Sequence, residues 1–414
     1  MMNWTSIPWL PAIAVLLYMA ARRQTFVKIA EAIVRMLIGY ALMLVGTAAA
    51  QWALSPLDGF MVRLFAVHGG VLNTEVFGTA LLNDYGGIGF AIMLLSFTFT
   101  LIVAALSKHK YLYMTAHHMM FLSLMVAMLL KMDTSLSDIG CMLVGAAVMA
   151  VYMFTTVLVT RPFMKRLTGT PMLGMGNSAS FASVAGGLIG RLFRKSTARF
   201  DAEETTLKFG FPEISFASAA LIFTAYTVFC LMAGADASRS LLGAGQHWLA
   251  SVLLRTVIYG AALSILLKGI SEFLGKIIEA FMWLNQRFVR GAVMGIDASA
   301  VIPYSPKAWM DGFLSCSAAG IIAAAGLLVF RAGYVPLIGL TSFYFVGGVA
   351  GVFGNAYGGK RGAIVASAFI GVLTVVMCSV FMTALGGMDS MGFAFGETEY
   401  SILGGLLRFI FRNL

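Results

Sequence analysis

The chain is 414 residues long, 60% hydrophobic and only 11% charged, with a mean hydropathy of +0.89. Water-soluble domains carry about 45–50% apolar and about 25% charged residues, so a soluble globular enzyme is excluded. The net charge of +10, from 28 basic and 18 acidic residues, sits in short loops between apolar runs. Positive-inside bias explains that placement better than a nucleic-acid surface does, and no nucleic-acid partner is expected.

A helical bilayer crossing needs about 20 mostly apolar residues. Candidate spans follow in order at 6–21, 27–53, 86–107, 111–131, 138–160, 213–234, 245–268, 311–330, 334–354 and 363–386. Basic clusters fall at alternate junctions: Arg22-Arg23-Lys28, Lys108-Lys110, Arg161-Lys165-Arg166, Lys268 with Lys276, and Lys360-Arg361. With the N-terminus outside, all of them land in the cytoplasm, while Arg331, Arg408 and Arg412 run against the pattern. The first apolar run has no basic residue before it, so it reads as a span and not as a cleaved signal peptide. Cys141, Cys230, Cys316 and Cys378 lie far apart inside apolar runs and read as small buried hydrophobes. The expectation is an all-α polytopic membrane protein, a single membrane-embedded unit over 1–414 with about ten transmembrane helices.

Four segments, 55–85, 168–190, 270–306 and 387–414, are too polar or too broken for a plain crossing. Irregular backbone survives at membrane depth only where protein or a water-filled cavity satisfies it, so re-entrant hairpins are expected near 168–190 and 387–407. That pattern belongs to transporters. The longest hydrophilic stretch, Arg191 to Lys208, is either a solvated cytoplasmic loop or a docking face for a soluble partner.

A weak internal repeat joins two places. RMLIGYALMLVG from Arg35 is followed forty residues on by Glu75, and RTVIYGAALSILLKG from Arg255 is followed forty-two residues on by Asp297. The two segments would cross in opposite directions, which predicts inverted halves of about 1–212 and 213–414.

Glu75 and Asp297 are the first candidates for chemistry, because ionisable groups in such surroundings are costly to bury. An ionised carboxylate only accepts hydrogen bonds and suits a ligand with several hydroxyls. The alternative for Asp297 is an N-cap, with Ser299 close behind. His117 and His118, adjacent on a helix, would point about 100° apart. With no HxxxH spacing, no metal site is expected, and no cofactor either. Asn177 and Ser178, in the run Gly-Met-Gly-Asn-Ser-Ala-Ser, offer either hydroxyl-binding groups or a small-residue helix contact. Gly354 to Gly362 reads as a tight turn with anchoring charges. There is no supported Ser–His–Asp set and no nucleotide fingerprint, so any phosphodonor must come from another chain.

Together the segments resemble the ascorbate-type enzyme IIC family of the bacterial phosphotransferase system, from about residue 26 to 407. The most specific stretch is IEAFMWLNQRFVRGAVMGID at 278–297. Thr74, His118-Met-Met-Phe121, Gly176, Phe181-Ala-Ser183 and VFGNAYGGKRGA add support. The resemblance implies a homodimer in the bacterial inner membrane, each protomer with a scaffold and a mobile core that moves like an elevator. It implies partners too: a cytoplasmic enzyme IIB, phosphorylated on cysteine, which phosphorylates the arriving substrate, and indirectly enzyme IIA. Ligand positions would fall on Thr74, Glu75, His118 to Leu122, Asn177, Ser178 and Asp297.

Ascorbate members usually have His-Gln in place of Asn177-Ser178, Tyr in place of Glu75 and Gln in place of Leu122. Altered hydrogen-bonding groups predict altered substrate discrimination. Family members also continue past the second hairpin into a final span, which the resemblance leaves without a counterpart here. Two other functions compete with phosphotransfer-coupled uptake: an ion-coupled carrier on the same scaffold, and a non-transporting sensor.

Overall fold

A computed structural model describes residues 8–72, 79–194, 211–243, 247–386 and 395–413. In chain order it runs α1 (Trp9–Ala21), α2 (Phe26–Leu54), α3 (Pro56–Phe65), β1 (His68–Leu72), α4 (Thr79–Leu106), β2 (Tyr111–Tyr113), α5 (Ala116–Asp133), α6 (Asp138–Thr168), β3 (Leu173–Met175) and α7 (Ser180–Leu192). It continues with α8 (Phe211–Ala233), α9 (Ala235–Leu242), α10 (Trp248–Phe288), β4 (Val293–Ile296), a 3-10 turn (Ala298–Tyr304), α11 (Pro306–Val329), β5 (Tyr334–Ile338), α12 (Leu340–Leu385) and α13 (Thr398–Phe411). Among the described residues, seven helices are long and apolar enough to cross a bilayer. The protein is an all-α polytopic membrane protein, with five very short strands added.

Each of the ten spans expected from hydropathy overlaps a helix, although those at 111–131 and 334–354 begin on strands β2 and β5. The last two spans are the limbs of α12, which reverses at Gly359 with φ 63° and ψ −159°, a conformation that side chains with a Cβ avoid. The limbs pack back on each other so closely that a Cβ on Gly354 would lie 2.5 Å from the Gly362 carbonyl oxygen, and Ser367 Oγ donates to the Gly347 carbonyl at 2.9 Å. The Gly-rich run is thus the expected turn, made between two helices. The four cysteines are buried thiols.

One segment departs from expectation. Residues 270–288 do not break but prolong α10 to 41 residues, roughly 60 Å at 1.5 Å per residue and about twice the apolar thickness of a bilayer. Lys268–Glu272 at 2.7 Å and Lys276–Glu279 at 2.7 Å, at helical spacing, keep this polar stretch helical. Lys268 and Lys276 therefore sit within a helix and not at a loop.

α2 and α10, which carry the two repeat segments, lie against each other antiparallel. A Cβ on Gly39 would meet the Phe273 amide nitrogen at 2.4 Å, one on Gly46 the Ala262 carbonyl oxygen at 2.8 Å, and one on Gly269 the Met43 amide nitrogen at 2.7 Å. Small residues let the two backbones touch, the usual means of helix association in lipid.

Basic groups from distant segments meet one another's neighbours in several places. Lys110 Nζ donates to the Arg290 carbonyl at 3.1 Å, and Arg161 donates to Tyr111 Oη at 3.2 Å. Arg166 and Arg191 both lie over the Tyr357 ring, while Arg22, Lys28, Arg35 and Lys276 line one polar pocket. Arg408 and Arg412, which break the charge alternation, have another role: both pair with Asp133 at the end of α5, at 3.2 and 3.1 Å.

The strands form two small parallel sheets, β1 with β5 and β2-β4-β3. A strand from the first half pairs with one from the second in each sheet. The second sheet builds the site.

Candidate substrate cavity

All three strands of the β2-β4-β3 sheet run the same way, so their C-terminal ends come out together. Leu112 pairs with Met294 and Gly174 with Gly295. At the exits the ladder continues for one bond each: Met114 N–H donates to the Gly295 carbonyl at 3.0 Å and Gly176 N–H to the Ile296 carbonyl at 2.9 Å. This close approach needs glycine, since a Cβ on Gly176 would stand 2.6 Å from the Gly295 carbonyl oxygen. The predicted polar residues follow within a few positions of the strand ends: His117 and His118 at the start of α5 after β2, Asn177 and Ser178 after β3, and Asp297 directly after β4.

Asp297 divides its two oxygens. Oδ1 accepts from the Ser299 N–H and hydroxyl, both at 2.8 Å, and so caps the 3-10 turn. Oδ2 stands 3.3 Å from His117 Nε2 and 3.9 Å from His118 Nε2. Asp297 is thus the N-cap of the 3-10 turn through one oxygen and leaves the other beside two imidazoles. The far nitrogen of His118, Nδ1, lies 2.8 Å from Ser178 Oγ and 3.5 Å from Tyr400 Oη.

His117 and His118 do not diverge as adjacent helical residues are expected to, for a physical reason. α5 begins at Ala116, so both rings belong to its first turn, and helical side chains lean toward the helix N-terminus. Asp297 waits just beyond that end, where two adjacent rings converge on it with their centroids 4.2 Å apart.

Asn177 and Leu122 are placed differently. Asn177 is fully buried, its carbonyl oxygen accepting from Ala179 N–H at 2.8 Å and its amide donating to the Ile296 carbonyl at 3.2 Å. The amide end ties the exit of β3 to β4, and the oxygen end closes a turn at the start of α7. Leu122, one turn along α5 from His118, is fully buried in the apolar core. Thr74 and Glu75 lie outside the described residues.

A cavity of about 700 Å³ opens against this cluster. His117, His118, Asp297 and Ser299 line one wall with Tyr400, and Ser264, Lys268, Ser271 and Leu274 of α10 line the other. That size accommodates a small polar molecule.

Of the second expected hairpin, residues 387–394 lie outside the described residues, and the helix that follows supplies a group absent from the expected site. Glu399, buried in α13, accepts from Tyr152 Oη of α6 at 2.6 Å through Oε1 and from Phe181 N–H of α7 at 3.2 Å through Oε2. Its signal was present, since a Glu in an apolar C-terminal helix is costly without a partner.

A bundle of helices long and apolar enough to cross a bilayer, with a polar cluster at the wall of a cavity, defines a multi-pass membrane protein. Residues 5–399 match the family model described as "PTS system sugar-specific permease component", and the chain belongs to that family. It is also 30% identical over 129 residues to the "Ascorbate-specific PTS system EIIC component" of Mycoplasma pneumoniae (strain ATCC 29342 / M129 / Subtype 1). That stretch is 29% of this chain and 19% of the Mycoplasma protein.

Proposed function

We propose that the chain is an enzyme IIC permease that takes up a small polyhydroxylated compound, an ascorbate-like molecule or a sugar or sugar acid. Phosphorylation follows on a separate, phosphocysteine-bearing enzyme IIB, itself charged by enzyme IIA. The observation that carries this reading is Asp297 Oδ2, flanked by two imidazoles and facing the cavity. An acceptor between two groups that can donate or accept suits a ligand with several hydroxyls. Ser178 orients His118, while Asn177 acts through the backbone of the same junction. Thr74 and Glu75 belong to the proposed ligand set by family resemblance, and Leu122 supports His118 from the core.

The cavity lies between α10 and the elements joined by the three-stranded sheet, which suits an elevator-like core moving against a scaffold in a homodimer. Inverted halves of about 1–212 and 213–414 are supported by the antiparallel contact of α2 and α10 and by the exchanged strands. The test is uptake of candidate sugars and sugar acids into proteoliposomes with and without phosphorylated enzyme IIB. Accumulation of phosphorylated product only with the partner supports the proposal. Gradient-driven uptake without it supports the ion-coupled alternative, for which buried Glu399 is a candidate proton carrier.

A further inference from the structure

The three groups that face each other at the cavity wall form a ligand set that the transport reading does not require. One ligand atom each from His117, His118 and Asp297 lies within 4.8 Å of the others. A tetrahedral zinc site with bonds of about 2.0–2.1 Å places its ligand atoms roughly 3.4 Å apart. His117 Nε2 and Asp297 Oδ2 are at 3.3 Å, and His118 Nε2 and Oδ2 at 3.9 Å. Closing the second distance takes about half an ångström of side-chain movement, and bringing the two imidazole nitrogens, within 4.8 Å of each other, to tetrahedral spacing takes up to about 1.4 Å.

We propose that His117 Nε2, His118 Nε2 and Asp297 Oδ2 bind a first-row transition-metal dication, with Zn²⁺ the best fit to two imidazoles and one carboxylate. Three features of the cluster support this beyond its spacing. His118 Nδ1 is held at 2.8 Å by Ser178 Oγ, the outer contact that fixes the tautomer and aims the other ring nitrogen at a metal. Asp297 Oδ1 is anchored by Ser299, which leaves Oδ2 to ligate. All three ligand residues line the same 700 Å³ cavity, so the fourth coordination position faces it. A three-ligand site with an open position takes a ligand from solution, and one oxygen of a diol or hydroxy acid suits that place, its neighbour expanding the ion to five-coordinate. The inference rests on the same cavity-facing view of Asp297 as the permease reading, but it adds His117 and an ion.

The test uses the full chain, free of any histidine tag, stripped with a chelator and titrated with Co²⁺ as a visible probe and with Zn²⁺ in competition. The expected result is one Co²⁺ per protomer with the absorption of a four- or five-coordinate ion, displaced by Zn²⁺. Asp297→Asn and His117→Ala should each weaken binding at least tenfold, and Ser178→Ala about tenfold, the usual effect of losing an outer contact. His109→Ala should leave the titration unchanged. If His117→Ala loses monodispersity, His117→Gln replaces it. A wild-type protein without saturable Co²⁺ binding, or binding unaltered by both ligand variants, overturns the site. Substrate uptake by the same preparations keeps the two readings apart: uptake by protein that binds no metal removes the metal and leaves the permease standing.

Discussion

Asp297 uses one oxygen as a cap and, in the proposed permease, offers the other to substrate, and substitution separates the two. Asparagine retains an acceptor for Ser299 and removes the charge beside the histidines. Asp297→Asn should fold and remain monodisperse yet lose uptake. A lost charge-assisted hydrogen bond costs about 1.5–3 kcal/mol, roughly a ten- to hundredfold loss in affinity. Size-exclusion chromatography beside an uptake assay checks both halves, and normal uptake by the variant would reduce Asp297 to a helix cap. Asp133 makes the contrasting case. It is 6% exposed and neutralises Arg408, itself 9% exposed, whose guanidinium also donates to the Ala384 carbonyl. Asp133→Ala strands a buried cation, and breaking such a pair costs about 3–5 kcal/mol. The variant should lose thermal stability in detergent by a wide margin. An unshifted melting curve would mean that Arg408 finds water instead.

Among the elements, α12 depends most visibly on one residue. Gly359 turns the chain between two limbs that touch through Gly354 and Gly362. Gly359→Ala places a Cβ on a backbone conformation that costs about 1–3 kcal/mol for other residues. Lower yield and a lower melting temperature are expected, and wild-type stability would show that the limbs can turn elsewhere. The helices were legible in the sequence because runs of about 20 apolar residues leave a long, redundant signal, as in α6 and α11. The strands were not. Tyr111–Tyr113 and Leu173–Met175 are three residues each, too short for an alternating pattern to register, and their partners lie far away in sequence. His118, Ser178 and Asp297 were legible as polar residues in apolar or Gly-rich surroundings. The convergence of His117 with His118 was not, because it depends on where α5 begins.

At the scale of the molecule, the alternating basic clusters predict one cytoplasmic face. Lys110 donates to the Arg290 carbonyl, Arg161 to Tyr111 Oη, and Arg166 and Arg191 share the Tyr357 ring. Asp133 with Arg408 and Arg412 closes the far end of α5. Single cysteines at positions 23 and 165 should react with an impermeant maleimide only from the cytoplasm, and one at 412 only from outside. The native cysteines are buried and give little background. The hydrophilic stretch 191–208 is expected on the cytoplasmic face with the first two, although 195–210 lies outside the described residues. External labelling of position 165 would invert the topology.

The exchanged strands also set a timetable for biosynthesis. Tyr111 of β2 has its partner at Val293 and His68 of β1 at Tyr334, so neither pairing can form until most of the chain has left the ribosome. At about 5–20 residues per second, β2 waits roughly 10–40 s for β4, with an unpaired strand edge and His117 without its aspartate. During that interval the first half is inserted but unfinished, and its polar strand ends need protection by lipid headgroups, water or an insertase. Messages truncated before β4 should therefore yield membrane-integrated fragments that proteases clear quickly. Pulse-chase decay would lengthen sharply once translation passes residue 296.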